Sequence, residues 1–229
     1  MKMILNDLLN LFFPRLCLLC QTPLVEGEAH ICLHCIRQLP YTHFTALKTN
    51  PVCLLFQEKV PFVAATAWLH FKQGGSGQKL IHSLKYHGNK QLGHELGRMA
   101  ALAYQTSGLF DTVDLLLPVP LHPKRQRERG YNQSEWIARG IQSVTGTAID
   151  TTSLSRIKKT ESQTHKQLSE RSENVEGIFR LNHVDALKDK HIILIDDVIT
   201  TGSTLRACAQ ALQEVPGIRI SFFGISTAL

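Results

Sequence analysis

The rhythm of apolar and polar positions divides the chain near residue 111. Before that point, residues 62–71 (F-V-A-A-T-A-W-L-H-F) read as a strand, closed by a Gly-rich turn over residues 72–79. Ile81, Leu84 and Lys85 open a helical pattern that pauses at His87, Gly88 and Asn89. A second helix is predicted over residues 91–104, with Leu92, Leu96, Met99 and Ala103 on one face. Beyond residue 111 the apolar runs become short and continuous, as fully buried parallel strands require. V-D-L-L-L-P-V-P (113–120), H-I-I-L-I (191–195) and residues 217–225 are three of them, and residues 153–157 make a weaker strand-like piece.

Asn132, with Glu135 three residues on, marks a helix start ahead of Ile137, Ile141 and Val144. Leu205, Cys208, Ala209, Leu212 and Val215 form the buried stripe of a helix over residues 203–215. Strands alternating with helices predict an α/β fold, a parallel sheet with right-handed crossovers covered on both faces. Residues 41–60 show no periodicity and read as a connector. The expected organisation is a helix and cysteine ribbon over 1–40, that connector, and one α/β domain over 61–229, in which 61–110 could form a hood.

Composition narrows the class. Hydrophobic residues are 43% and charged ones 19%, enough to build a core in 229 residues, so disorder is excluded. Fifteen glycines and nine prolines exclude collagen-like or low-complexity architecture. The net charge of +6 suits a phosphate-bearing partner without identifying one. Asn6, Asp7 and Asn10 interrupt the apolar amino terminus, where Leu5, Leu8, Leu9 and Phe12 recur at helical spacing up to Pro14. That pattern predicts a short amphipathic helix, not an export signal. No stretch is long and apolar enough to span a bilayer, so a cytoplasmic protein, not an integral membrane one, is expected.

Four of the six cysteines lie in one short segment, spaced C-x2-C-x11-C-x2-C: Cys17, Cys20, Cys32 and Cys35. A two-residue gap lets a tight turn aim two thiolates at one ion, and two such turns complete a tetrahedral site suited to structural zinc. Disulfide pairing is the alternative, and a reducing compartment disfavours it. His30 and His34 flank the second pair and read as surface imidazoles; Cys53 and Cys208 read as small buried hydrophobes.

Residues 192–204, I-I-L-I-D-D-V-I-T-T-G-S-T, carry the densest chemistry. A buried strand ends in Asp196 and Asp197, at the carboxyl edge where open α/β sheets bind ligands. Thr200, Thr201, Gly202, Ser203 and Thr204 then turn into a helix whose first N–H groups make an anion cradle. Acids beside an anion cradle suit a sugar phosphate: the cradle takes the phosphate and the carboxylates accept from ribose hydroxyls. Lys124, Arg125, Arg127 and Arg129 cluster against a single acid, Glu128, and read either as a solvated face or as a phosphate contact.

The segment 192–204 resembles the phosphoribosyl pyrophosphate (PRPP) signature of type I phosphoribosyltransferases. With residues 117–135, 160–179, 80–88 and the cysteine ribbon, nearly the whole chain is similar to the ComF family of bacterial competence and DNA-utilisation proteins. The chain departs from many relatives in keeping only Cys53 over residues 41–60, so a second metal site is not expected. The resemblance implies a parallel-sheet type I phosphoribosyltransferase-like domain and Mg²⁺-bound PRPP, with Asp196 and Asp197 as catalytic carboxylates. It also implies a lid over residues 158–175, in which Gln163, Lys166, Gln167 and Arg171 match family positions. Lys166 or Arg171 would then reach the pyrophosphate or DNA beside the Lys124–Arg129 cluster.

Three functions follow as expectations. One is transfer of a ribosyl 5-phosphate group. The second is PRPP sensing, or non-catalytic handling of single-stranded DNA by the basic cluster and zinc ribbon. The third is an adaptor docking on other competence or DNA-uptake proteins.

Overall fold

The computed structural model describes residues 13–86, 88–158 and 177–229. The helix expected over the amino terminus lies outside them. Cys32 caps a five-residue helix, α1 (Leu33–Arg37), within the cysteine ribbon. The main layer follows: β1 (Ala65–His70), α2 (Ser76–Tyr86), α3 (Lys90–Ala103), β2 (Leu115–Pro118), α4 (Pro123–Arg129), α5 (Gln133–Thr145) and β3 (Ala148–Ile149). A short pair, β4 (Leu154–Arg156) and β5 (Phe179–Leu181), comes next, then β6 (His191–Ile199), α6 (Ser203–Leu212) and β7 (Arg219–Thr227).

The sheet has five strands in the order β1-β7-β6-β2-β3, all parallel. Helices cover both faces, which is why β6 and β7 are apolar at successive positions instead of alternate ones. Ile193, Ile195, Phe223 and Ile225 pack beneath α2, α3 and α5. Ile192, Leu194 and Phe222 pack against α6 on the other face, through Leu205, Cys208 and Leu212.

Several expectations change in three dimensions. Helix α2 begins at Ser76, inside the predicted Gly-rich turn, and α6 ends at Leu212, short of Val215. Strand β4 pairs antiparallel with β5, outside the main sheet. The buried stripe of α3 is Leu92, Gly93, Leu96, Gly97, Ala100 and Ala101, while Ala103 is exposed and Met99 half-buried. The stripe is rotated because glycine, not bulk, forms the contact with α5. A Cβ at Gly97 would stand 2.1 Å from the Ile137 carbonyl, and one at Gly140 would stand 2.0 Å from that of His94.

Residues 41–60 do more than connect. Val52, Cys53 and Phe56 are buried, and the Phe56 ring stacks on Phe222 with centroids 4.0 Å apart. The ribbon is tied down as well. Ile31 and Leu39 join the core cluster of α2 and α3, and His30 pairs with Glu95 of α3 instead of standing free at the surface.

Because the α3–α5 seam has no room for a methyl group, Gly97→Ala and Gly140→Ala should each destabilise the fold by about 1–3 kcal/mol. Urea denaturation checks this; an unchanged midpoint would mean the helices can separate freely.

Candidate functional site

The site is built where β6 ends. Strand β6 lies between β2 and β7, so its carboxyl end is flanked by the ends of two further strands. Val119, just past β2, donates its N–H to the Ile195 carbonyl at 2.9 Å. Its own carbonyl accepts from Asn132 Nδ2 at 3.0 Å, while Asn132 Oδ1 accepts from the Ser134 N–H. Asn132 is thus the α5 cap and a strut to β2. Glu135 takes no part in that cap and pairs with Arg139.

Beyond Ile199 the chain turns through Gly202, which has φ +70°, a left-handed conformation that glycine adopts without strain. Gly202 therefore supplies α6 with no capping side chain; the Ser203 N–H reaches Thr201 Oγ1 at 3.4 Å, and the first-turn N–H groups have no partner within the helix. Thr201 Oγ1 and Ser203 Oγ are 3.1 Å apart. Arg206 pins the turn from behind: its Nη1 donates to the Thr201 carbonyl at 2.7 Å and to the Leu55 carbonyl at 2.9 Å. A Cβ at Gly202 would come within 3.2 Å of both Leu55 and Phe56, so the segment expected to be a connector is the wall against which this turn is held. Asp196, Thr200, Gly202, Ser203 and Thr204 line one small cavity.

Asp196 and Asp197 border this edge on opposite sides of the sheet, as neighbours in a strand do. Asp197 is buried and its Oδ1 meets Lys85 Nζ of α2 at 3.0 Å. Asp196 faces the α6 side, and its Oδ1 accepts from the Asp197 N–H at 2.8 Å. Burial, reinforced by the Asp197 charge, pushes the Asp196 carboxyl up to about 7; Lys85, that N–H and Arg156 oppose the shift. Arg156 of β4 is half-buried near Arg125 of α4, and burial first, then Arg125, lowers its pKa against the pull of Cys208 and Asp196. Burial likewise pushes Tyr131, whose hydroxyl donates to the Leu84 carbonyl, up to about 12.

The basic cluster is split by its own helix. In α4 Lys124 and Arg127 are exposed, while Arg125 and Arg129 share the half-buried flank. Arg129 Nη1 donates to Gln133 Oε1 at 3.1 Å, and its guanidinium lies 5.7 Å from the Tyr86 ring centre. Gln163, Lys166, Gln167 and Arg171 lie outside the described residues. Sequence reading singled out neither Lys85, Arg156 nor Arg206 as a site residue. A lone cation at a helix end or in a strand carries no local signal; only packing brings these three to the β6 edge.

The four cysteines converge. One sulfur from each of Cys17, Cys20, Cys32 and Cys35 lies within 4.8 Å of the others, and all four thiols are free. Cys20 and Cys32 Sγ are 3.7 Å apart, near the roughly 3.8 Å edge of a tetrahedron with metal–sulfur bonds of about 2.3 Å. Backbone N–H groups of Cys32 and Cys35 point at Cys17 Sγ and Cys32 Sγ, as the turns of a thiolate site require. The cluster could hold a metal such as zinc. Cys53 and Cys208 are buried apart from it.

The raised Asp196 pKa has a definite sign. The folded chain holds this proton more tightly than the unfolded one, so the contribution is fully present below about pH 4 and lost as pH rises toward 7. Asp196→Asn, which cannot ionise, should melt close to the parent at or below pH 4 and a few degrees above it at pH 8. An equal difference at both pH values would rule out a raised carboxyl.

The chain is similar to several known proteins. A family model for the phosphoribosyl transferase domain matches residues 136–222, from within α5 into β7. The DNA utilization protein YhgH of Salmonella typhimurium is 28% identical over 211 residues, covering 87% of this chain and 91% of that protein. Competence protein F of Haemophilus influenzae is 25% identical over 95% of this chain and 99% of its own. Competence protein ComFC of Bacillus subtilis is 37% identical over 44% of this chain and 38% of its own. Among solved structures, the allosteric regulatory enzyme of purine biosynthesis gives a TM-score of 0.40 at 15% identity, over 62% of this chain and 29% of that one, too loose a likeness to bear on fold or function. The chain is therefore similar to the YhgH and competence protein F proteins, with a four-cysteine cluster ahead of a segment that matches the phosphoribosyl transferase domain.

Proposed function

We propose that the carboxyl edge of β6 binds PRPP with Mg²⁺, that the cysteine cluster holds a structural zinc, and that the protein serves the uptake or use of DNA in the cytoplasm. The observation that carries the ligand reading is the turn at Gly202. It opens α6 without a capping side chain, is pinned by Arg206, and lines one cavity with Asp196. Backbone N–H groups and hydroxyls at Thr200, Thr201, Gly202, Ser203 and Thr204 would hold the 5′-phosphate. Asp196 and Asp197 would accept from the ribose hydroxyls, with Lys85 Nζ holding Asp197 in place at 3.0 Å. The DNA setting rests on the names of the relatives, YhgH and competence protein F.

The chemistry this supports is pentosyl transfer, in which the bond from the ribose C1 to pyrophosphate breaks as a nucleophile arrives. Positive charge develops on the sugar, and the two carboxylates are placed to stabilise it electrostatically. Arg125 and Arg156 bring cationic charge to the same edge for the departing pyrophosphate. Mg²⁺, when bound, neutralises pyrophosphate charge through ligand oxygens and waters.

Calorimetry tests the ligand. PRPP with Mg²⁺ should bind saturably, and Asp196→Asn or Asp197→Asn should each weaken it about 10- to 100-fold, the range for a hydrogen bond to a charged group. Absence of PRPP binding to the parent chain, with steeply salt-dependent binding of single-stranded DNA instead, would transfer the edge to nucleic acid.

For the cysteines, elemental analysis should return one zinc per chain. Cys17→Ser or Cys35→Ser should lower both metal content and melting temperature, because metal binding and folding are linked. Full stability after chelation to zero zinc would remove the structural metal.

A further inference from the structure

Lys85 meets Asp197 from the last turn of α2, and the α4–α5 junction holds that turn. Tyr86, its final residue, is 64% exposed, yet the Arg129 guanidinium lies 5.7 Å from its ring centre. Arg129 is aimed in turn by Gln133, whose Oε1 accepts from Nη1 at 3.1 Å. Between those two in sequence, the Tyr131 hydroxyl donates to the Leu84 carbonyl, a group that the helix end leaves without an intrahelical partner.

Two features set this junction apart from general packing. Gln133 is 1% exposed, and its Nε2 has no hydrogen-bond partner among the described residues. A buried donor left unpaired costs stability, and the bond to Arg129 is what the position preserves at that cost. The charges of Arg129 and Asp197 also act on the same Tyr131 hydroxyl in opposite senses, so guanidinium and carboxylate stand around one phenol. Lysine could not reproduce the arrangement. A planar guanidinium can stack on a ring and bond a neighbouring amide at once, whereas an ammonium is a point charge on a flexible stem.

We propose that Arg129 is a positioning residue for the acid pair: it fixes Tyr86, and Tyr86 fixes the end of α2 that carries Lys85 to Asp197. The role rests on the reading of the β6 edge as a PRPP site, and it takes Arg129 out of the set that would contact phosphate directly. Lys85 also opposes the rise of the Asp196 carboxyl, so its placement can be followed there. The other charges acting on Asp196 are Asp197 and Arg156, the latter beside Arg125, with the Cys208 thiol buried nearby. Tyr86→Leu alters none of these charges.

Carbon-13 NMR of the Asp196 carboxyl, titrated in the ligand-free full chain, reads that placement. Lys85→Met should raise the midpoint by about half a pH unit, and Tyr86→Leu and Arg129→Lys should each move it in the same direction. The double variant Lys85→Met/Tyr86→Leu should titrate like Lys85→Met alone, since both displace one cation. Midpoints left at the parent value in Tyr86→Leu and Arg129→Lys, or shifts that add in the double variant, would overturn the proposal even if melting temperatures fall. Calorimetry reads the ligand. Arg129→Gln should weaken binding of PRPP with Mg²⁺ about 3- to 10-fold while the salt dependence stays that of the parent. A flatter salt dependence would make Arg129 a phosphate contact and overturn the positioning role. A parent chain that binds no PRPP sinks the ligand reading alone, because the titration needs no ligand and decides the positioning role by itself.

Discussion

The pairing of β6 between β2 and β7 is the constraint on which the rest of the molecule depends. Two parallel ladders hold Ile195 opposite Pro118 on one side and Phe223 on the other. That register decides where the strand runs out, and therefore where Asp196, Asp197 and the turn through Gly202 emerge. A slip of one residue would exchange the faces, sending the carboxylates to each other's side and the isoleucines out of their layers. The strand is held by burial on both faces, so the register carries the full weight of the core.

Around that strand the site is assembled from pieces remote in sequence, each fixed by one specific contact. Asn132 ties the end of β2 to the start of α5. Arg206 clamps the Thr201 carbonyl to Leu55, making residues 53–56 a supporting wall. Lys85 faces Asp197 across the opposite side of the sheet. The two acids consequently experience different surroundings. One has a cation at 3.0 Å, while the other is opposed by burial and by its neighbour's charge. Carboxylates adjacent in sequence but differing in environment are suited to different tasks.

The ribbon is joined to this frame rather than merely tethered. Ile31 and Leu39 enter the shared core, and the His30–Glu95 pair fastens the second cysteine turn to α3. A segment of this size buries little by itself, and its four converging sulfurs could hold a metal whose binding free energy would add to folding. Close contact also explains the glycines of the α3–α5 seam. Backbones this near exclude even a methyl group, so the pattern of large apolar residues found Leu92 and Leu96 but missed the glycines and turned the face of α3 toward Met99 and Ala103.

The sequence by itself determined what depends on local periodicity and local chemistry. The strands read over residues 113–120, 191–195 and 217–225, the helix after Gly202, the cap at Asn132 and the paired cysteines all follow from residues a few positions apart, although the second strand runs on past Asp196 and Asp197 to Ile199. Only the tertiary structure decided which side chains meet across crossovers: Lys85 with Asp197, Arg129 with Tyr86, Arg125 with Arg156, and Arg206 with Leu55. Those partners lie far apart along the chain and carry no periodic signal. Their meeting is set by sheet register and helix packing, which a one-dimensional pattern does not encode.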